Sequence, residues 1–297
     1  MVYSAEGYSN VPGRIFGGGA PALTNVKIRG ISLPHCLPPL GAATRLSLDS
    51  WRSENIVIGV GDYSRTLGAI SRASSLTHLT LSELPLGSPT GRSRPVTLPS
   101  LLSLKVIIPS AILEADDYCE YLFSSLILPN LDHLTLKFCH DYDLDAIITS
   151  THITRELHPS HLRVKSIALY DTKVDVWNID ALSDLFPDVE RLSISFGDES
   201  DGVSLLEFLE EAEVGEDESY TLWPHLTHVC VVASQDDPGK EEFESSLRAF
   251  VQSRKAVGLP LRCITFPAWS AVYDYSWYAK HDIDIRFCQD WERPSGF

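Results

Sequence analysis

Apolar side chains return along this chain in one fixed frame: a proline, then apolar residues two, five and seven positions later. Pro99, Leu101, Leu104 and Val106 fill it, as do Pro129, Leu131, Leu134 and Leu136. The frame also holds Pro187, Val189, Leu192 and Ile194; Pro224, Leu226, Val229 and Val231; and, near the start, Pro21, Leu23, Val26 and Ile28. Four further units lack a proline at that offset but end in the same kind of pair, Leu46/Leu48, Leu79/Leu81, Ile167/Leu169 and Ile264/Phe266. Residues two apart on a strand point to one face, so each pair predicts a short strand with that face buried. The residue inside each pair faces the other way; it is Lys27, Ser47, Thr80, Lys105, Thr135, Ala168, Ser193, Cys230 or Thr265, all small or polar. The next outward positions are Arg29, Asp49, Ser82, Ile107, Lys137, Tyr170, Ser195, Val232 and Pro267, so a mostly solvated outer face is expected. Each proline is expected to fix φ and to end the helix that precedes its strand.

Between these strands the apolar spacing becomes helical, over 112–126, 144–157, 179–186, 203–212 and 241–257. From Val26 to Ile264 the strand-to-strand steps are 20, 33, 25, 30, 33, 25, 37 and 35 residues, room for a strand, a loop, a helix and a loop each time. An alternating order of this kind requires crossovers and hence parallel strands. One strand face cannot bury itself alone, but stacked neighbours make a continuous core. The predicted fold is therefore α/β, a curved solenoid with short parallel strands on the concave side and helices on the convex side. A doubly wound nucleotide-binding domain would need long, all-apolar central strands and a Gly-rich first turn. These strands are short and have one polar face.

These units resemble leucine-rich repeats in the Leu-x-x-Leu-x-Leu form, over roughly residues 21–266. Such repeats usually carry Asn or Cys three residues after the last strand leucine, and here only Cys139 conforms. More specifically, the chain is similar to the C-terminal repeat region of the large fungal F-box family. The phrases that carry this resemblance run over 15–23 (Ile15 to Leu23), 72–81 (Arg72 to Leu81) and 250–261 (Phe250 to Leu261). In that family an F-box helical module binds the Skp1 adaptor of a cullin ubiquitin ligase, and the repeats recruit substrate. No F-box is recognisable here, so Skp1 and cullin are expected partners only if an F-box exists upstream of Met1; a lost module is the other expectation. The resemblance thus implies a leucine-rich-repeat solenoid of about nine irregular repeats over 1–267, followed by an aromatic-rich C-terminal cap over 268–297. The cap would use Ile283 and Ile285 as an edge strand, with Trp269, Tyr273, Tyr275, Trp277, Tyr278, Phe287 and Trp291 around it.

Charge narrows the partner class. With 24 Lys+Arg against 40 Asp+Glu the formal charge is −16, which opposes binding to a phosphate backbone. From Leu192 to Leu222 there is no Lys or Arg at all, and this stretch reads as a solvated helix face running into a loop. No stretch approaches the roughly 18 apolar residues of a spanning helix, and the first residues do not form a secretory signal. Neither nucleic acid nor membrane is expected. The six cysteines are scattered without a Cys-x-x-Cys, as expected for reduced, mostly buried thiols in a cytoplasmic or nuclear protein.

Candidate chemistry is sparse. His158/His161 and His225/His228 have a spacing that zinc can use, but no third and fourth ligand accompanies either pair. His225 and His228 also fall on ordinary repeat positions. No nucleophile elbow, phosphate loop or calcium loop is found. A non-enzymatic protein-recognition module without catalytic residues, cofactor or metal is expected, with a repeat scaffold or remnant lacking any ubiquitin-ligase role as the alternative. The expected contact residues are the outward positions Lys27, Arg29, Lys105, Lys137 and Tyr170. Positive charge on one face of an acidic protein suits an acidic or phosphorylated protein ligand.

Overall fold

A computed structural model of the 297-residue chain describes residues 23–29, 33, 38–49, 62–82, 94–108, 115–158, 163–172, 174, 176–195, 206–210, 222–232, 240–267 and 275–288. Ten five-residue strands form one sheet. They are β1 Asn25–Arg29, β2 Arg45–Asp49, β3 His78–Ser82, β5 Ser103–Ile107, β7 His133–Lys137, β8 Ser166–Tyr170, β9 Arg191–Ser195, β10 His228–Val232, β11 Cys263–Pro267 and β12 Asp284–Cys288. Two-residue strands β4 Val96–Thr97 and β6 Leu126–Ile127 pair with each other outside it. In the large sheet every pairing is parallel, and spatial order follows chain order.

That order has a consequence for layering. Crossovers between parallel strands are right-handed, so a sheet that grows in one direction only puts all its connections on one side. The helices Asp62–Ile70, Ala115–Ser125, Asp141–Leu157, Val176–Leu185 and Lys240–Ala256 supply those connections. Their apolar sides, with Leu67, Leu122, Ile147, Leu182 and Leu247, join the strand residues Leu79, Leu104, Leu134, Ile167 and Leu192 in one core. The sheet therefore has a helix face and a strand face.

The register explains why the frame repeats. Leu46, Leu79, Leu104, Leu134, Ile167 and Leu192 pair in line across neighbouring strands, and Leu48, Leu81, Val106, Leu136, Leu169 and Ile194 form the second line. Just before the strands, one carbonyl per unit takes two N–H groups from the next unit. Thr44 O accepts from Thr77 and His78, Thr77 O from Leu102 and Ser103, and Leu102 O from Asp132 and His133, at 2.9–3.0 Å. The same fork recurs at Asp132, Lys165, Glu190 and Thr227.

The prolines do something other than stop a helix. Pro99, Pro129, Pro187 and Pro224 each sit second in a tight turn closed by a backbone bond, such as Leu101 N to Leu98 O at 3.2 Å and Leu226 N to Trp223 O at 2.9 Å. Proline suits that position because its fixed φ matches the turn. A side-chain ladder runs along these turns. Ser100 Oγ donates to Ser74 O at 2.8 Å, and Asn130 Nδ2 donates to Pro99 O at 2.7 Å.

Helix Asp141–Leu157 begins with a capping interaction in which His140 N–H donates to Asp143 Oδ2 at 2.9 Å. Its Arg155 donates to the carbonyls of Asp184 and Leu185 at 3.3 and 2.9 Å, closing the end of the neighbouring helix. Helix Lys240–Ala256 carries Arg254, only 1% exposed, whose guanidinium donates to the carbonyls of Leu222, Trp223, Leu226 and Leu259 at 3.1–3.3 Å. That fork holds the turn ahead of β10.

Among the described residues the large sheet has ten strands, the tenth being the edge strand expected around Ile283 and Ile285: β12 pairs with β11 in the same parallel sense. Two expectations are corrected. Helix Ala115–Ser125 ends one residue before the expected limit, and Leu126 belongs to β6. The outer positions are not solvated throughout: all five residues of β8 are buried, and Ser193 and Ser195 of β9 are each 4% exposed. The acidic stretch after β9 and the residues Trp269, Tyr273 and Trp291 lie outside the described residues, apart from the helical segment 206–210.

Candidate functional site

Three rows of side chains project from the strand face, at the first, third and fifth residue of each strand. In strand order the first row reads Asn25, Arg45, His78, Ser103, His133, Ser166, Arg191, His228, Cys263 and Asp284. Rows three and five begin with Lys27 and Arg29 and run through the outward positions named from the sequence. Across the described residues of this face the cations are Lys27, Arg29, Arg45, Lys105, Lys137, Arg191 and Arg286, and the anions are Asp49 and Asp284. A chain of net charge −16 thus presents a cationic sheet face.

The five residues expected from the sequence are all on this face but in different states. Lys27 is exposed and Lys105 half-buried. Arg29 is exposed and its Nε lies 3.3 Å from Asp49 Oδ2. Lys137 is 9% exposed; its Nζ lies 3.7 Å from Asp171 Oδ2 and 4.7 Å from the centre of the Phe138 ring. Asp171 adopts a left-handed φ of +48°, and its Oδ1 also accepts a hydrogen bond from Ser195 Oγ at 3.2 Å. Tyr170 is 3% exposed and hydrogen-bonded to Ser193, and burial pushes its phenol pKa well up. Lys137 and Tyr170 are therefore parts of a packed polar cluster, and only Lys27, Arg29 and Lys105 offer accessible groups.

The first row was missed by the sequence reading, which counted outward positions only from the middle of each strand. Its signal lies one residue before the first strand apolar, in Thr77-His78-Leu79, Asp132-His133-Leu134 and Thr227-His228-Val229. His78 Nδ1 sits 2.8 Å from Thr77 Oγ1, and that hydroxyl donates its one proton to Thr44 O at 2.9 Å. His78 therefore donates from Nδ1, which leaves Nε2 as the acceptor in the neutral ring. His228 Nδ1 lies 2.8 Å from Thr227 Oγ1 in the same arrangement, with Glu190 O 3.4 Å from the hydroxyl.

All three ring pKa values lie below the usual histidine value. Loss of solvent is the first cause in each, and nearby guanidiniums add to it: Arg45 at His78, and Arg191 at His133 and His228. Asp132 and Glu190 oppose the shift at His133 and His228 respectively. Two causes of one sign make neutral imidazoles near pH 7.

The other titratable clusters are structural in geometry. Asp143, fully buried, accepts from His140 N and from the Cys119 thiol at 3.8 Å, so its carboxylate is committed to the helix start. Burial and Asp143 together push the Cys139 thiol well up, away from the thiolate that nucleophilic chemistry needs. Cys230 is pushed up likewise by its hydrogen bond to Cys288 and by burial. His225 is exposed on a turn while His228 is on the sheet, and His161, the partner of His158, lies outside the described residues. Among the described residues, no group of three or more His, Cys, Asp or Glu is arranged to hold a metal ion, and no helix is long and apolar enough to cross a membrane.

No protein-family model matches the chain, and no curated protein matches it either.

Proposed function

We propose that the chain is a non-enzymatic recognition module, a leucine-rich-repeat solenoid whose concave strand face holds an acidic or phosphorylated protein. The observation that carries this reading is the gathering of cations on the sheet face away from the helices, in a chain whose net charge is −16. Self-repulsion among aligned cations costs stability, and an anionic partner would offset it. Lys27, Arg29 and Lys105 are its accessible contacts, joined by Arg45 and Arg191 of the first row. Lys137 and Tyr170 would act beneath them by holding the packed cluster in shape.

The resemblance to fungal F-box repeat regions extends this reading to the substrate-recruiting part of a ubiquitin-ligase receptor, cytoplasmic or nuclear. That extension rests on the phrases quoted from the sequence. Affinity purification of the longest natural transcript, as wild type and as Lys27→Glu/Lys105→Glu, tests both levels. Skp1 and cullin should copurify with both forms, and the recruited partner should be lost from the charge-reversed one. Prey that is lost on charge reversal without any Skp1 or cullin would leave a recognition scaffold with no ubiquitin link. Prey indifferent to the reversal would remove the strand face from the account.

A further inference from the structure

Resting on the reading that the strand face binds an acidic protein, we propose that its first row is a pH-gated anion strip. Arg45, His78, His133, Arg191 and His228 hold a carboxylate-rich protein segment laid across the strands, and hold it more tightly as pH falls through the histidine range.

Register sets the spacing. Arg45 and His78 are direct neighbours on β2 and β3, and Arg191 and His228 are direct neighbours on β9 and β10. Neighbouring strands are about 4.8 Å apart, so each doublet is close enough to share one carboxylate. His133 lies two strands from His78 and two from Arg191, with Ser103 and Ser166 between. Ser103 is half-buried and Ser166 buried, so neither side chain stands up between the cations. The strip has three stations about 12 Å apart, Arg45/His78, His133 and Arg191/His228, and an extended segment, with same-side residues about 7 Å apart, brings every second one, about 14 Å on, near the next station.

The gate is built into how the rings are held. Protonation of His78 keeps the Nδ1 contact to Thr77 and converts Nε2 from an acceptor into a charged donor, so no internal bond is lost. The charges facing each ring are these. Arg45 on β2 faces His78; Asp132, Arg191 and His78 act on His133; Arg191 and Glu190 from the β9 side, Arg262 before β11 and Arg286 on β12 act on His228. Guanidiniums outnumber carboxylates around the strip, and the neutral ring is favoured while it is empty. A ligand carboxylate supplies the missing negative charge, which favours the charged ring and links proton uptake to binding.

Side-chain carboxylates fit this gate better than phosphate. A phosphomonoester loses charge itself near pH 6, in the same window where the rings gain it. The test uses the full chain and a fluorescein-labelled ten-residue polyglutamate, whose carboxyls titrate near pH 4.3 and stay ionised throughout. Anisotropy titrations at about pH 8 and about pH 6 should show affinity rising roughly tenfold on acidification. His78→Asn/His228→Asn should flatten the rise between the two pH values. Arg45→Gln/Arg191→Gln should weaken binding at both.

Equal affinity at both pH values, still lowered by the arginine changes, would overturn the gate and leave the strand-face reading standing. No binding of this probe by folded protein at either pH would overturn the strip and count against that reading too. As a check that needs no variant, the His78, His133 and His228 ring resonances of wild-type protein should titrate at higher pH once the peptide is added; unchanged titrations would overturn the gate.

Discussion

The strand face differs sharply between its first strands and its middle. On β1, β2, β3 and β5, none of the twelve outward positions is buried; on β8 and β9 five of six are, with Arg191 the exception. Pairing is parallel and in register across both regions, and the inward apolar residues are buried in both, apart from Ile28 on the edge strand β1, which is half-buried. The difference comes from size and neighbours. Tyr170 bonds to Ser193 and lies near Cys230 and Cys288, beside residues as small as Ala168 and Ser195. Tyr170 is itself 3% exposed, so it is packed in with its small neighbours, whereas Ser47, Thr80 and Lys105 on the first strands are half-buried. Alternation decides which way a side chain points; its neighbours decide whether it meets water.

The two regions are also fastened differently, and that offers the largest test. Turns in the first half are linked by single hydroxyl or amide bonds from Ser100 and Asn130, while Arg254 by itself holds three carbonyls around the turn before β10 and that of Leu259 ahead of β11. Arg254→Leu takes the guanidinium away from all four and is expected to cost about 4 kcal/mol, against about 1 kcal/mol for Asn130→Ala, in urea melts. Equal costs would mean that the second half is not pinned by this residue.

The accessibility contrast is tested by one substitution made twice in the same row. Ala168→Glu puts a carboxylate where the native residue is 5% exposed and should cost about 3 kcal/mol. Thr80→Glu, at a half-buried position of the same row, should stay within about 0.5 kcal/mol. Ion pairs sharpen the contrast further. Asp171→Asn leaves the nearly buried Lys137 facing an uncharged amide and should cost about 1–2 kcal/mol, while Asp49→Asn beside the exposed Arg29 should cost less than about 0.5 kcal/mol.

The smallest expected effect is on pH dependence. His78, His133 and His228 have folded-state pKa values below the ordinary one, so the unfolded chain binds more protons near and below about pH 6.5. Their contribution to stability is complete above that pH and is lost as pH falls through it. The melting temperature of the free protein should drop by a few degrees between about pH 7.5 and about pH 5.5, and less in the His78→Asn/His228→Asn form. A melting temperature that rises on acidification would reverse the sign of the linkage.

Much of this was legible beforehand, for particular reasons. Leu134/Leu136 and Leu192/Ile194 announce strands because a buried strand face needs apolar residues two apart, whatever the tertiary details. The helices Asp141–Leu157 and Lys240–Ala256 start within three residues of the predicted limits and end within one, since their apolar faces also repeat. The prolines were legible as markers but not in their role: a fixed φ serves a turn as well as a helix stop, and only the closing bond at Leu98–Leu101 separates the two. The tenth strand was legible only as an edge, because Ile283, Ile285 and Phe287 alternate without the proline frame ahead of them. Of the site, Lys27, Arg29 and Lys105 were found at accessible positions. Arg45, Arg191 and the histidines were passed over because they precede the first apolar residue of the strand and look like part of the loop.

By itself, then, the sequence determined the unit and its repetition: an apolar pair that must be buried, a polar residue that must turn away, and enough chain between copies for a crossover. Those are local demands of strand geometry and hydrophobic burial, and one segment suffices to state them. Tertiary structure decided what lies beside what. Register brought Arg45 next to His78 and Arg191 next to His228, Lys137 and Tyr170 packed with their partners in the middle of the face, and Arg254 reached a turn 28 residues or more before it in the chain. Such contacts join residues from different units, and their energy depends on distances that no single unit specifies.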